Sequence, residues 1–277
     1  MRLRFSKMHG IGNDFVMVDA IRQDLSGLDL QELARTTNDR RFGIGGDGLI
    51  LALPGEDAPF RMRMFNPDGS ESEMCGNGVR CFAAFVRAEG LTDSHSIAVE
   101  TGAGLLTLDS LPDGRVRVDM GLARLTRGEI GMTGAPEESW IEQPIEIDGH
   151  ALTATAVSMG NPHMAIFVED VASVPLADWG PRLERHPEFP NRVNVHFVQA
   201  MSREHLVQRT WERGAGATLA CGTGACASAV AGHLTGRSDA RVRISLPGGD
   251  LEIEISPDRR VWMTGPARHV FSGEIEV

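Results

Sequence analysis

The chain has 277 residues, 42% hydrophobic and 23% charged, which is enough apolar material for about two globular domains at the usual ~100–200 residues each. A net charge of −11 with no long basic run excludes a nucleic-acid groove or an anionic membrane surface as the main partner. The N-terminal Met1-Arg2-Leu3-Arg4-Phe5-Ser6-Lys7 lacks an apolar core of signal-peptide length, and no stretch nears the roughly 18 apolar residues that span a bilayer, so a cytoplasmic location is expected.

In chain order, residues 3–6 read as a short strand and Lys7-Met8-His9-Gly10-Ile11-Gly12-Asn13-Asp14 as a polar, glycine-broken loop. Residues 15–18 read as a strand, and Leu30, Leu33 and Ala34 have helical spacing within 29–38. Gly43-Ile44-Gly45-Gly46-Asp47-Gly48 formally matches G-x-G-x-x-G, but a strand-like run, Leu49-Ile50-Leu51-Ala52-Leu53, follows where a dinucleotide site needs a helix. Residues 60–65 form a strand ending in the turn Asn66-Pro67-Asp68-Gly69-Ser70. Next come Cys75-Gly76-Asn77-Gly78, a helix carrying Val79, Phe82, Ala83 and Val86 up to Gly90, and strands at 96–100, 105–109 and 115–120. Residues 121–138 are weakly patterned and are read as the linker. The expected domains are therefore 1–122, with 267–277 packing back onto it, and 123–266. The second half has strands at 145–147, 151–157, 164–168, 193–199 and 205–211, and a short helix near 176–186. Cys221-Gly222-Thr223-Gly224 then opens a helix to Gly236, followed by strands at 240–245, 251–255 and 261–264 and an extended tail.

The two Cys-Gly-x-Gly stretches belong to a larger repeat. An offset of 146 places Cys75, Gly76, Gly78, Ala83, Gly90, Asp93, Gly102 and Leu105 on Cys221, Gly222, Gly224, Ala229, Gly236, Asp239, Gly248 and Leu251. An offset of 148 places Gly12-Asn13 on Gly160-Asn161. With the shared order strand, turn, Cys, helix, hairpin, this reads as an internal duplication giving two similar lobes, with a ligand site in the cleft between them.

A cysteine at a helix N-terminus sits where free N–H groups and the helix dipole favour a thiolate, and the same N–H groups can hold a carboxylate. With a thiol pKa near ~8.5 before such lowering, two facing cysteines can remove a proton from one side of a carbon and return one to the other, inverting it. A single cysteine would instead read as a covalent nucleophile, with His163 and Glu212 available as partners. The plain alternative, a small buried core residue, suits Cys81 and Cys226 inside the helices. Spacing within each helix suits neither a local disulfide nor a zinc ribbon, and neither metal nor cofactor is expected.

Several motifs together resemble the diaminopimelate epimerase family. They are Lys7-Met8-His9-Gly10-Ile11-Gly12-Asn13-Asp14-Phe15, Phe65-Asn66-Pro67-Asp68-Gly69-Ser70, Met74-Cys75-Gly76-Asn77-Gly78-Val79-Arg80-Cys81, Gly160-Asn161-Pro162-His163, Asn191-Arg192-Val193-Asn194-Val195, Trp211-Glu212-Arg213-Gly214-Ala215-Gly216 and Ala220-Cys221-Gly222-Thr223-Gly224-Ala225-Cys226. The resemblance implies an α/β (α+β) fold of two pseudo-symmetric lobes, each a curved, mainly antiparallel sheet around a central helix. It implies interconversion of LL- and meso-2,6-diaminopimelate without pyridoxal phosphate, on the route to lysine and peptidoglycan precursors. Cys75 would give a proton and Cys221 take one in the LL-to-meso direction. Gly76, Asn77, Gly222 and Thr223 would cradle the reacting carboxylate. Asn13, Asn66, Asn161, Asn194, Glu212 and Arg213 would bind substrate, while His163 and Glu212 would tune the thiols. Arg213 and the asparagine amides suit a distal carboxylate, and Glu212 an ammonium. Three positions depart from the pattern. Gly48 stands where many members have a substrate-contacting Gln. Ala217 stands where Glu is frequent. Phe271 stands where some members have a dimer-interface Tyr; a homodimer is expected without that hydroxyl's bond. The competing readings are a proline or hydroxyproline racemase of the same fold and a non-catalytic amino-acid-binding protein.

Overall fold

The computed structural model describes residues 1–277, which divide into two compact units, Met1–Asp119 with Thr264–Val277, and Met120–Met263. The first lobe opens on β1 (Arg2–Gly10) and β2 (Asn13–Asp19), an antiparallel hairpin. The stretch read as a loop is thus mostly strand. Only Ile11 and Gly12 turn, with φ of 47° and 86°, and a two-residue turn with both φ positive suits the twist of a hairpin. α1 (Leu30–Asn38) follows, capped by the Asp29 side chain accepting from Gln31 N and Glu32 N. It leads to β3 (Gly48–Pro54), which lies parallel to β2. β4 (Phe60–Phe65), β5 (Glu71–Ser72), α2 (Gly76–Ala88), β6 (Ser96–Thr101), β7 (Gly104–Ser110) and β8 (Arg115–Leu122) complete the run.

The period-two alternation of β2 and β3 divides their side chains between two helices. Val16, Val18, Leu49 and Leu51 join Leu33 and Ala34 of α1 in one core. Ile50 faces the other way, toward the start of α2, where it closes on Gly78. Strands buried on both faces read as continuous apolar runs, as 15–18 and 49–53 do. α2 packs against β1, β2, β3, β4 and β7, so the sheet wraps around it, and Val79, Phe82 and Val86 are fully buried there. Each such side chain contributes about 1.5–3 kcal/mol of burial.

The second lobe contains α3 (Arg127–Ile130), β9 (Gln143–Ile147), β10 (His150–Ser158), β11 (Pro162–Phe167), α4 (Leu176–Glu184), β12 (Asn194–Ser202), β13 (His205–Glu212), β14 (Gly216–Thr218), α5 (Gly222–Leu234), β15 (Arg241–Leu246), β16 (Gly249–Ile255) and β17 (Arg260–Pro266). The segment read as a linker is ordered structure. Thr126 and Glu129 form a capping box on α3, Arg124 bridges to Ser158, and Ile130 and Met132 enter the core. Its weak periodicity reflects an element too short to show one.

The strand pairings repeat between the lobes. β1–β2 antiparallel, β2–β3 parallel, β3–β4 and β4–β5 antiparallel, β4–β6 parallel and β6–β7 antiparallel recur as β10–β11, β11–β12, β12–β13, β13–β14, β13–β15 and β15–β16. α5 stands in α2's place, packed against β10, β11, β12, β13, β15 and β16. The extended tail is β18 (Arg268–Glu276), which pairs antiparallel with β1 as β9 pairs with β10.

Candidate active site

Cys75 and Cys221 are the N-cap residues of α2 and α5, both with extended backbone (φ −135° and −127°). A Ser or Asp in that place would direct its oxygen at the first N–H groups of the helix; a cysteine brings a sulfur there instead, and the Gly224 N–H favours the thiolate of Cys221. Gly78 and Gly224 are required by proximity. A Cβ on Gly78 would come 2.9 Å from Ile50 Cδ1, and one on Gly224 would come 2.2 Å from His196 Cε1. Cys81 and Cys226 lie fully buried inside the helices, and burial pushes Cys81 up to about 12.

In the first lobe the Ile11-Gly12 turn delivers Asn13 to Cys75. Asn13 Oδ1 accepts from Cys75 Sγ at 3.6 Å and from Asn77 Nδ2 at 3.2 Å. Its Nδ2 donates to Asp47 Oδ2 at 2.7 Å. Asp47 is ion-paired with Arg40 at 2.7 Å, and Arg40 also binds Asp14 at 2.6 Å. Asp14 completes the set with the buried Lys7 at 2.6 Å. Although burial opposes its charge, the Arg40 and Lys7 partners bring Asp14 down to about 2. Arg80, fully buried, donates to Gly76 O at 3.0 Å and Asn77 Oδ1 at 2.8 Å, placing a cation beneath the Cys-Gly-Asn-Gly turn. Asn66 sits at the end of β4, where its amide donates to Ser70 Oγ within the turn. Gly48 opens β3 opposite Phe15, walled by Met64 and Phe65.

In the second lobe Gly160, with φ of 96°, delivers Asn161 in the same way. Asn161 Nδ2 donates to Thr223 Oγ1 at 3.5 Å, and Thr223 Oγ1 lies 3.8 Å from Cys221 Sγ. Asn161 Oδ1 accepts from His163 Nε2 at 2.8 Å. Glu212, held by Thr218 Oγ1 at 2.6 Å, is hydrogen-bonded to Cys221. Burial first, and then the Glu212 carboxylate, raise Cys221 well above the usual thiol range, against the Gly224 N–H and the Thr223 hydroxyl. Cys221 is therefore held as a thiol donating to Glu212. Burial, then His196 and Arg213, hold His163 well below the ordinary imidazole range, so it is neutral. Asn194 binds Pro162 O at 2.9 Å and receives Arg213 N at 2.9 Å, which fixes the backbone on which the exposed Arg213 side chain stands.

Within the first lobe the structure thus joins Cys75, Asn13 and Asn77, and within the second Cys221, Thr223, Asn161, His163 and Glu212. Sequence reading missed Asp47, Arg80, His196, Gln208 and Thr210. Arg80 was legible inside its motif, as the cation one turn into the helix. Asp47 lies in the glycine-rich 43–48 loop, where neither spacing nor periodicity ties it to Asn13. His196 sits two residues after Asn194, on the same strand face.

The Diaminopimelate epimerase family model matches residues 5–126 and 155–270. A diaminopimelate epimerase of Moorella thermoacetica is 54% identical over 279 residues, covering 98% of this chain and 99% of that one. Among solved structures, a phenazine biosynthesis protein of the PhzF family from Bacillus anthracis superposes with a TM-score of 0.73 at 16% identity, covering 100% of both chains. A probable proline racemase from Agrobacterium radiobacter K84 superposes with a TM-score of 0.67 at 16% identity, covering 99% of this chain and 93% of that one. The last two likenesses share the two-lobed fold; the first two are of sequence along nearly the whole chain, and by them this chain belongs to the diaminopimelate epimerase family.

Proposed function

We propose that the protein interconverts LL- and meso-2,6-diaminopimelate by two-base proton transfer between Cys75 and Cys221, feeding lysine and peptidoglycan precursor synthesis. The observation that carries the reading is that both cysteines are the N-cap residues of equivalent helices, with Gly76-Asn77 and Gly222-Thr223 as the first helical residues. In the LL-to-meso direction the Cys221 thiolate takes the α-proton, and the electron pair of the broken C–H bond moves into the α-carboxylate. N–H groups at Gly76-Asn77 and Gly222-Thr223 hold that carboxylate and stabilise its developing charge. The Cys75 thiol gives its proton to the opposite face, and the two sulfurs exchange roles in reverse. No covalent adduct forms between enzyme and substrate.

Glu212 links binding to this chemistry. Its carboxylate accepts from Cys221 and disfavours the thiolate. A substrate ammonium that engages Glu212 cancels that charge and leaves the thiolate to Thr223 and Gly224 N–H. Arg213 with Asn194, Asn66, Asn13 and Asn161 holds the substrate's polar ends, and His163 acts on Cys221 through Asn161. Arg213 and the ~50% identity of several curated relatives favour diaminopimelate over the proline-type racemase, whose substrate has no second amino-acid end. The protein works in the cytoplasm, where thiols stay reduced, as a homodimer; the exposed Val270 and Phe271 on β18 support an interface there.

Cys75→Ala and Cys221→Ala test the pair. Each should lower epimerisation by at least ~10², the usual worth of a positioned acid or base. Normal turnover by either variant would end the two-base account.

A further inference from the structure

The 146- and 148-residue offsets allow the ground beneath the two cysteines to be compared position by position. Under α5 lie His163, His196, Gln208 and Thr210, which are 0%, 0%, 0% and 1% exposed. Their counterparts under α2 are Phe15, Ile50, Met62 and Met64, all buried and apolar. The matching is confirmed by register, since Ile50 pairs with Met64 as His196 pairs with Thr210. It is confirmed again by contact, since Ile50 closes on Gly78 as His196 closes on Gly224. One lobe therefore buries four polar side chains where the other buries four apolar ones. Burial of polar groups is unfavourable unless they are paired, and the Gln208 Oε1 at the far end lacks a partner.

The four groups form a single file. Gln208 Nε2 lies 2.9 Å from Thr210 Oγ1 and 3.2 Å from His196 Nδ1, and Thr210 Oγ1 lies 3.0 Å from His196 Nδ1. His196 Nε2 meets His163 Nδ1 at 2.9 Å, and His163 Nε2 meets Asn161 Oδ1 at 2.8 Å. Each imidazole is neutral, so each has one donor and one acceptor nitrogen. With the Gln208 amide and Thr210 hydroxyl donating to His196 Nδ1, the His196 Nε2–H donates to His163 Nδ1, and the His163 Nε2–H donates to Asn161. Asn161 must then turn its N–H toward Thr223 beside Cys221. In the first lobe the anchor is Asp47, a pure acceptor, so Asn13 turns its N–H away and its carbonyl oxygen toward Cys75.

We propose that the fold holds these two asparagine amides in opposite senses, with His196 and Gln208 as positioning residues for the Cys221 side. An acceptor facing Cys75 suits a thiol about to give a proton. A donor facing Thr223 leaves that hydroxyl's proton for the sulfur of Cys221, which suits a thiolate about to take one. The sense of the amides thereby matches the donor and acceptor roles in the LL-to-meso direction. This rests on the two-base reading above.

The test is a titration of Cys221 by NMR of [3-13C]cysteine-labelled full-length protein, without substrate. Charged and titratable groups acting at this cysteine are Glu212, by direct bond, and His163 with Arg213 behind it. All variants are compared in a Glu212→Gln background, which removes the largest of these and is the same throughout. His196→Ile installs the first lobe's residue and Gln208→Met does so at nearly constant volume. His196→Gln keeps a donor toward His163. His196→Ile should raise the Cys221 midpoint by about one pH unit, a roughly tenfold loss of thiolate at fixed pH, as expected for one hydrogen bond to a charged group. Gln208→Met should move it in the same direction by less, and His196→Gln should stay within about 0.3 unit of the background. Midpoints unmoved in Gln208→Met and in folded His196→Ile, or moved equally by His196→Gln, would overturn the proposal. Because no substrate is present, that failure is distinct from a failure of wild-type protein to epimerise diaminopimelate.

Discussion

At the residue scale, the two buried histidines beneath Cys221 stay neutral at neutral pH. His196 is held at about 3 by burial, and His163 is also held well below 6.5. A histidine with a depressed folded pKa binds its proton more readily in the unfolded chain. Its stabilising contribution is therefore full above ~6.5 and lost as pH falls from there toward the folded value. The loss is roughly 1.4 kcal/mol per pH unit for each group that stays neutral when folded. The urea midpoint should accordingly fall between pH 7 and pH 5, and the slope should be shallower in His196→Gln. A wild-type midpoint independent of pH over that range would show that the pair is not buried neutral. Asp14 acts only at lower pH. Its folded value near 2 means that its contribution is present above ~4 and disappears as pH falls toward 2.

At the element scale, the two helices were the most legible part of the sequence. Cys-Gly-x-Gly before an Ala-rich run, a stop at Gly90 or Gly236, and a fixed offset mark their position and equivalence. Both stops adopt positive φ, 65° and 71°, which is why glycine recurs there. The residues beneath the helices were far less legible. A buried His196 in a strand looks like any inward-facing position, and only the register with Thr210 and the contact with Gly224 reveal its surroundings. Asp47 could not be tied to Asn13 from sequence, because the two are 34 residues apart and meet only through the β2–β3 pairing. The 121–138 segment shows no period because its one short capped turn is too brief to have one. The same contacts make a prediction about the helices. Gly224→Ala drives a methyl into an imidazole held at both nitrogens, whereas Gly78→Ala meets the free end of Ile50. Gly224→Ala should destabilise by about 1–3 kcal/mol, the usual range for overpacking, and Gly78→Ala by less. Denaturant melts that ranked the two in reverse order would contradict the packing argument.

At the scale of the whole molecule, one topology occurs twice with two different interiors. Duplication explains the shared strand pairings, the paired cysteines and the paired asparagines. Divergence explains why one lobe anchors its asparagine with a carboxylate and the other with neutral imidazoles. The chain closes on itself at β1 and β18, where Val277 N donates to Met1 O at 2.8 Å, and β18 carries Phe271 on an exposed face. A dimer through that face should show a light-scattering mass of twice the 30.0 kDa chain, and Phe271→Asp should shift it toward the monomer. A monomeric wild type at micromolar concentration would remove the interface. Beneath all of this stands the claim that two thiols exchange a proton with one carbon without help from any added cofactor. The most direct measurement uses reduced, metal-free protein in buffered D₂O with LL-diaminopimelate and no cofactor, following the α-position by NMR as the isomers equilibrate. The account predicts that deuterium enters the α-carbon as meso product appears; reduced, folded protein that neither exchanges that proton nor forms meso isomer would contradict it.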